Sequence, residues 1–208
     1  MSAAGTARTG AVTSADGTPV GYEVTGAGPA VVLVPGAAPP RMTSGAASGV
    51  ASTVAPGMPP GVASGMTSGV ACALTSGVAG ALAPWFSVFT YGGRVAGVER
   101  EVEDLVAVIG AAGGPAMVFG GSAGAVPALL AAARCPAVAK LALWEPPYRV
   151  GEIPPAPTQP TLVLHAGGGR AWLRTALPRA THRVLDGRTG PLSPATLASE
   201  LLEFFVTR

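Results

Sequence analysis

Three side chains in this 208-residue sequence have the types that acyl-transfer chemistry needs, and each follows or ends an apolar run of strand character. Ser122 lies in Gly120-Gly121-Ser122-Ala123-Gly124, a G-x-S-x-G pattern. That pattern is short and the chain is rich in Gly and Ser, so its context carries the argument. An apolar strand, Ala116–Phe119, runs directly into it, and a helical run, Val126–Arg134, leads out. A serine at so tight a strand-to-helix turn takes a strained backbone, so residues two positions away on either side must lack bulk. The turn also puts Ser122 at a helix N-terminus, where amides stabilise an oxyanion. The plainer alternative is a Gly-rich βα turn whose serine only caps the helix.

A serine hydroxyl is a poor nucleophile unless a base takes its proton and a third group orients that base. The chain holds only two histidines. His165 ends the run Thr161–His165, and Glu145 follows Leu141–Trp144. A Ser122–His165–Glu145 set is therefore conceivable at the carboxyl ends of neighbouring strands. The alternative for His165 is a strand-end histidine hydrogen-bonded in its turn. His182 begins a short edge strand and is expected at the end away from the site. Asp186 reads as a turn residue before Gly187, and Glu99, Glu101, Glu103 and Asp104 read as a solvated helix face.

These residues need a scaffold, and the chain's periodicities describe one. Residues 10–14 and 19–25 flank Asp16-Gly17, a hairpin signal. Ala30–Val34 is a continuous apolar run ending in Pro35-Gly36, as suits a strand covered on both faces. Trp85–Tyr91 reads as a further strand. Val98, Val102, Leu105, Val106 and Ile109 recur at helical spacing, with acids on the early turns. Leu141–Trp144, Thr161–His165 and His182–Leu185 read as strands and Ala171–Leu177 as a short helix. Ser193-Pro194 caps and opens a last helix with Leu197, Leu201, Leu202 and Phe205 inward. A hairpin followed by alternating strands and helices predicts a mostly parallel α/β sheet with helices on both faces, in one domain spanning 1–208.

Composition excludes several classes. The net charge of +2, with no basic cluster, argues against a nucleic-acid partner. Cys72 and Cys135 make neither a disulfide framework nor a metal site, and no cofactor or metal is expected. Twelve of the thirteen basic residues are Arg, a codon bias of GC-rich bacterial genomes. The opening MSAAGTARTGAV lacks the apolar core of a secretory leader, so the expected compartment is the cytoplasm. Residues 42–93 carry no charge, and about 42–84 forms a low-complexity Gly/Ala/Ser/Val-rich insert. Within it Val62, Met66, Val70, Leu74, Val78 and Leu82 recur every fourth residue, a helical stripe weakened by intervening Gly and Ser. So much small polar composition argues against a membrane span.

Five segments together resemble the α/β-hydrolase superfamily, in particular small bacterial esterases, epoxide hydrolases and haloperoxidase-like proteins. They are SADGTPVGYEVTGAGPAVVLVPG, VEREVEDLVAVIGAAGGPAMVFGGSAGAVPALLAAA, KLALWEPPY, PTLVLHAGG and SPATLASELLEFF, and they cover roughly two thirds of the chain in order. The resemblance implies a small ester-like substrate, Ser122 as nucleophile, and an oxyanion hole built from the amides of Ala37 and Ala123. It also exposes departures. The family places its catalytic His in a loop before the final helix, where this chain has Gly187-Arg188-Thr189-Gly190, so Gly190 stands in the histidine's place. The tract after the fourth strand, Tyr91-Gly92-Gly93-Arg94, is shortened, and Gly121 stands where His is common. No lid follows the sixth strand, and Ala166-Gly167-Gly168-Gly169 lacks the Asp many relatives carry. The expectation is a hydrolase with an incomplete triad and a weak or improvised base. The alternative is a catalytically degenerate relative that binds or scaffolds.

Overall fold

The computed structural model describes residues 7–36, 69–94, 96–147, 156–167, 171–185 and 193–207. In chain order the elements are β1 (Arg8–Thr13), β2 (Pro19–Thr25), β3 (Ala30–Val34), α1 (Gly69–Leu82), β4 (Ser87–Tyr91), α2 (Val98–Ala111) and β5 (Ala116–Gly121). A single 3-10 turn, Ser122–Gly124, leads into α3 (Ala125–Arg134). Then follow β6 (Val138–Trp144), β7 (Thr161–His165), α4 (Ala171–Ala176), β8 (Thr181–Val184) and α5 (Pro194–Val206).

The described strands form one sheet in the order β1-β2-β4-β3-β5-β6-β7-β8. β1 and β2 pair antiparallel about Asp16-Gly17, where Gly17 takes φ 84 and the Ser14 amide donates to the Thr18 carbonyl. β2 runs antiparallel to β4, and every later pairing is parallel. Strand alternation divides the apolar side chains between two layers. Val32, Val34 and Val118 pack with Val102, Leu105 and Ile109 of α2 and Leu129 of α3. Val31, Leu33 and Phe119 pack with Val78 and Leu82 of α1 and Leu197, Leu201 and Phe205 of α5 on the other face. The predicted mostly parallel α/β sheet with an N-terminal hairpin is the fold observed.

Three local findings differ from the sequence reading. Helix α1 forms within the low-complexity tract, and its four-residue stripe is what anchors it. Val78 and Leu82 are fully buried and Leu74 packs beside them. Burying each such side chain contributes roughly 1.5–3 kcal/mol, which outweighs the roughly 1 kcal/mol cost of each interior Gly. Gly77 serves packing as well, since a Cβ there would stand 2.6 Å from Pro194 Cβ at the start of α5. Val62 and Met66 lie outside the described residues.

The strand expected from Trp85 begins only at Ser87, because the Trp85 and Phe86 amides both donate to the Leu82 carbonyl. The chain leaves α1 in a turn there, and Trp85 is exposed.

The acids of α2 do not form one solvated face. Asp104 is 2% exposed and holds Arg94 through paired bonds of 2.7 Å to Nε and 2.8 Å to Nη2. Arg94 Nη1 also donates to Asp16 and Thr18 of the first hairpin. Periodicity could not show this, because the partner lies on another element. The Arg94 guanidinium holds the Asp16 carboxyl well below the usual range, and burial together with Asp104 and Glu101 pushes the Tyr91 phenol well up.

Candidate active site

Ser122 follows β5 directly, with φ 49, one of two positive φ values among non-glycine residues described. A left-handed conformation at a residue with a Cβ costs about 1–3 kcal/mol and persists only where its surroundings impose it. Here close packing imposes it. A Cβ on Gly120 would stand 2.5 Å from the Gly124 carbonyl oxygen and 2.7 Å from Ala128 Cβ. One on Gly124 would stand 2.7 Å from the Val34 carbonyl oxygen and 2.9 Å from that of Pro35. The two glycines thus seat α3 on β5 and on the end of β3. The turn between them is compressed, and the Ser122 side chain is exposed. Ala123 follows within the 3-10 turn that leads into α3, where the first amides have no intrahelical acceptor.

Glu145 is the other non-glycine residue with positive φ, at 44. Register places Gly121 opposite Trp144 and Trp144 opposite Leu164. Ser122, Glu145 and His165 therefore occupy matching positions at the carboxyl ends of three adjacent parallel strands. Adjacent strands lie about 4.8 Å apart, so the Ser122 and His165 backbones are about 10 Å apart across β6. The sequence expectation that these three residues share one edge holds for their backbones.

The Glu145 and His165 side chains bond to the turn after β7 and to the edge strand. Glu145 Oε1 accepts the Ala166 amide at 2.5 Å, which fixes the turn after β7. His165 is 4% exposed, and its Nε2 lies 3.4 Å from Nδ1 of His182. The two ring planes are parallel within 5° and their centroids are 5.7 Å apart. That separation exceeds the nitrogen–nitrogen distance by just the two ring radii, so the rings meet edge to edge in one plane. His182 Nε2 in turn lies 3.3 Å from the Leu177 carbonyl oxygen. Burial first, and the nearby Arg174 charge after it, hold the His182 imidazole below its ordinary value; the bond to Leu177 opposes them. Among the described residues no hydrogen bond joins Ser122 to His165 or to Glu145.

His182 was expected away from the site, yet it contacts the candidate base. The register contained the signal. His182 pairs with Val163, which shares a face of β7 with His165 two residues on. Ala37, Asp186 and Gly190 lie outside the described residues. No group of three or more metal-ligating side chains occurs among those described, and no described helix is long and apolar enough to cross a membrane.

The sequence matches no protein-family model and no curated protein. Solved structures do match it. An α/β hydrolase from Sphaerobacter thermophilus DSM 20745 is 28% identical, with a TM-score of 0.68 over 95% of this chain and 100% of that one. An esterase from Rhodococcus sp. ECU1013 shares 17% identity and a TM-score of 0.62, over 98% of each chain. An esterase from Pyrococcus furiosus shares 13% identity and a TM-score of 0.61, over 97% of this chain and 92% of that one. The sheet order, the parallel register, the strained serine between β5 and α3, and these full-length matches agree: the chain belongs to the α/β-hydrolase superfamily.

Proposed function

We propose that the protein is a slow, uncapped acyl hydrolase that takes small esters, with Ser122 as nucleophile. The observation that carries this reading is the exposed Ser122 at φ 49, held there by close packing at Gly120 and Gly124. A serine that only capped a helix would need no such strain. Ser122 Oγ attacks the ester carbonyl and loses its proton, and the developing oxyanion is held by the Ala123 amide, with the amide of Ala37 as its partner. Collapse expels the alcohol, and water then hydrolyses the acyl-enzyme.

His165 is the base in this reading, and Glu145 is the carboxylate fixed beside it. The backbone gap of about 10 Å rules out a direct bond, so the proton crosses a bridging water. His165 is nearly closed to solvent, so that water enters rarely and turnover is slow. Oxyanion and binding contacts alone still give roughly 10³–10⁴-fold over water in hydrolases stripped of triad members. Only residues 145–160 join β6 to β7, which leaves little chain for a lid and favours small, accessible substrates.

Hydrolysis of p-nitrophenyl acetate by wild type and Ser122→Ala tests the proposal. We expect slow turnover that the substitution abolishes, together with covalent labelling of Ser122 by a fluorophosphonate. Equal turnover by both proteins, without labelling, would leave a binding or scaffolding role.

A further inference from the structure

The hydrogen bonds around the two histidines decide which nitrogen of each ring carries its proton. The Leu177 carbonyl oxygen can only accept, so His182 Nε2, 3.3 Å away, is the protonated nitrogen of that ring. In a neutral imidazole the other nitrogen is then bare, so His182 Nδ1 is an acceptor. It faces His165 Nε2 at 3.4 Å, which must donate to it. This leaves His165 Nδ1 as the basic nitrogen of its ring. His182 stands on the edge strand β8, on the opposite side of β7 from β6 and Ser122, so Nε2 is the nitrogen aimed at the edge of the sheet.

We infer that His182 is a positioning residue: it fixes His165 in the Nε2–H form and so makes Nδ1 the nitrogen that takes a proton. The inference rests on the proposed role of His165 as base and adds the group that orients it. In hydrolase triads a carboxylate holds the base by its far nitrogen. Here the far nitrogen meets an imidazole from the edge strand, and Glu145 Oε1 accepts the Ala166 amide. A neutral acceptor still stabilises a protonated His165, because the Nε2–H bond strengthens when its donor is charged. It does so less than a carboxylate would, in keeping with a slow enzyme.

Glu145 follows β6 and reaches the residue after His165, and Arg174 on α4 acts on His182. Arg183, next to His182 in β8, alternates to the other face and pairs with Glu200 and Glu203 of α5. Those carboxylates are thereby kept from the imidazoles.

The experiment has two arms on the full chain. Nitrogen-15 spectra of the imidazoles report the tautomers directly and need no activity. We expect both rings as Nε2–H at pH 7.5, and a His165 carrying its proton on Nδ1 would overturn the inference. The second arm compares His182→Phe, which cannot accept a hydrogen bond, with His182→Gln, whose amide can accept from His165 and donate to Leu177. His182→Phe should slow ester hydrolysis about tenfold or more, well short of the ~10⁴ seen when a triad carboxylate is replaced. It should also move the ascending limb of the pH–rate profile to lower pH, because protonated His165 loses its acceptor. His182→Gln should restore both rate and limb position. A uniform loss in both variants with an unmoved limb marks a merely structural role and overturns the inference. A wild type with no Ser122-dependent turnover counts against the proposed function, and the tautomers are still decided by the first arm.

Discussion

Adding one methyl group at Gly120 tests the packing that holds the elbow. A Cβ there would stand 2.5 Å from the Gly124 carbonyl oxygen, 2.7 Å from Ala128 Cβ and 2.9 Å from Ala125 Cα. Favourable heavy-atom contact lies near 3.5–4.0 Å, so β5 and the start of α3 must part by about 1 Å. None of the three atoms sits at the end of a flexible side chain, so rotamer changes relieve nothing. Overpacking of this kind costs about 1–3 kcal/mol. In a chain of this length each kcal/mol moves the midpoint by roughly 2–4 °C, so Gly120→Ala should melt about 2–12 °C lower. Gly110→Ala is the matched control. Gly110 lies in the last turn of α2 with nothing within 4 Å of the added methyl, and the helix gains at most roughly 0.5–1 kcal/mol from the same change. Thermal unfolding followed by circular dichroism at one pH reads both. Opposite shifts are expected. A Gly120→Ala protein that melts at or above wild type would refute the packing that imposes φ 49 on Ser122. Displacement of a nucleophile by about 1 Å costs on the order of 10² in rate, so ester turnover should fall with the midpoint.

Two further outcomes follow from the polar contacts. Arg94→Met leaves the Asp104 carboxylate buried without its bidentate partner, and should destabilise by about 3 kcal/mol in urea titrations; a loss below 1 kcal/mol would show that the pair adds nothing beyond its desolvation. His182 is held below its ordinary value in the folded protein, so the folded state favours its neutral form. Its contribution is fully present above the unfolded value of about 6.5 and is lost as pH falls through and below it. The midpoint should therefore drop between pH 7 and pH 5 in wild type and drop less in His182→Gln, and parallel curves would contradict the assignment.

The fold was legible because its signals are local and repeated. Ala30–Val34 and Thr161–His165 are unbroken apolar runs, as strands buried on both faces must be, and both form β-strands covered on both sides. Ser193-Pro194 names its helix start by chemistry, and Ser193 Oγ does accept the Thr196 amide. Helix α1 was harder to read. Its Gly, Ser and Ala argue against a helix one residue at a time, and the decisive term is burial against α5, which propensity does not contain. Asp104 fails for the same reason. Its fellow acids on the helix, Glu99, Glu101 and Glu103, are exposed or half-buried, and only Arg94, brought in from the end of β4, makes the burial of Asp104 tolerable.

The elbow could be read from the sequence because it is a contiguous device. Strand, turn, glycines and helix lie within residues 116–134, and each constrains the next. A base belongs to no such unit. Whether a histidine serves a serine depends on strand order, on register and on which ring nitrogen is occupied, and none of these is written beside the residue. By its sequence resemblance Gly190 stands where the superfamily keeps its histidine, and the replacement proposed above comes from the sheet itself. A strand-borne histidine at that edge needs its far nitrogen satisfied once it is buried, and the adjacent edge strand is the nearest source of an acceptor. His182 supplies one. The same burial that orders the pair also withholds water from it. On the proposed reading such a base is well oriented and slow, and the pH–rate profile of ester turnover is then expected to carry the signature of an imidazole held by another imidazole.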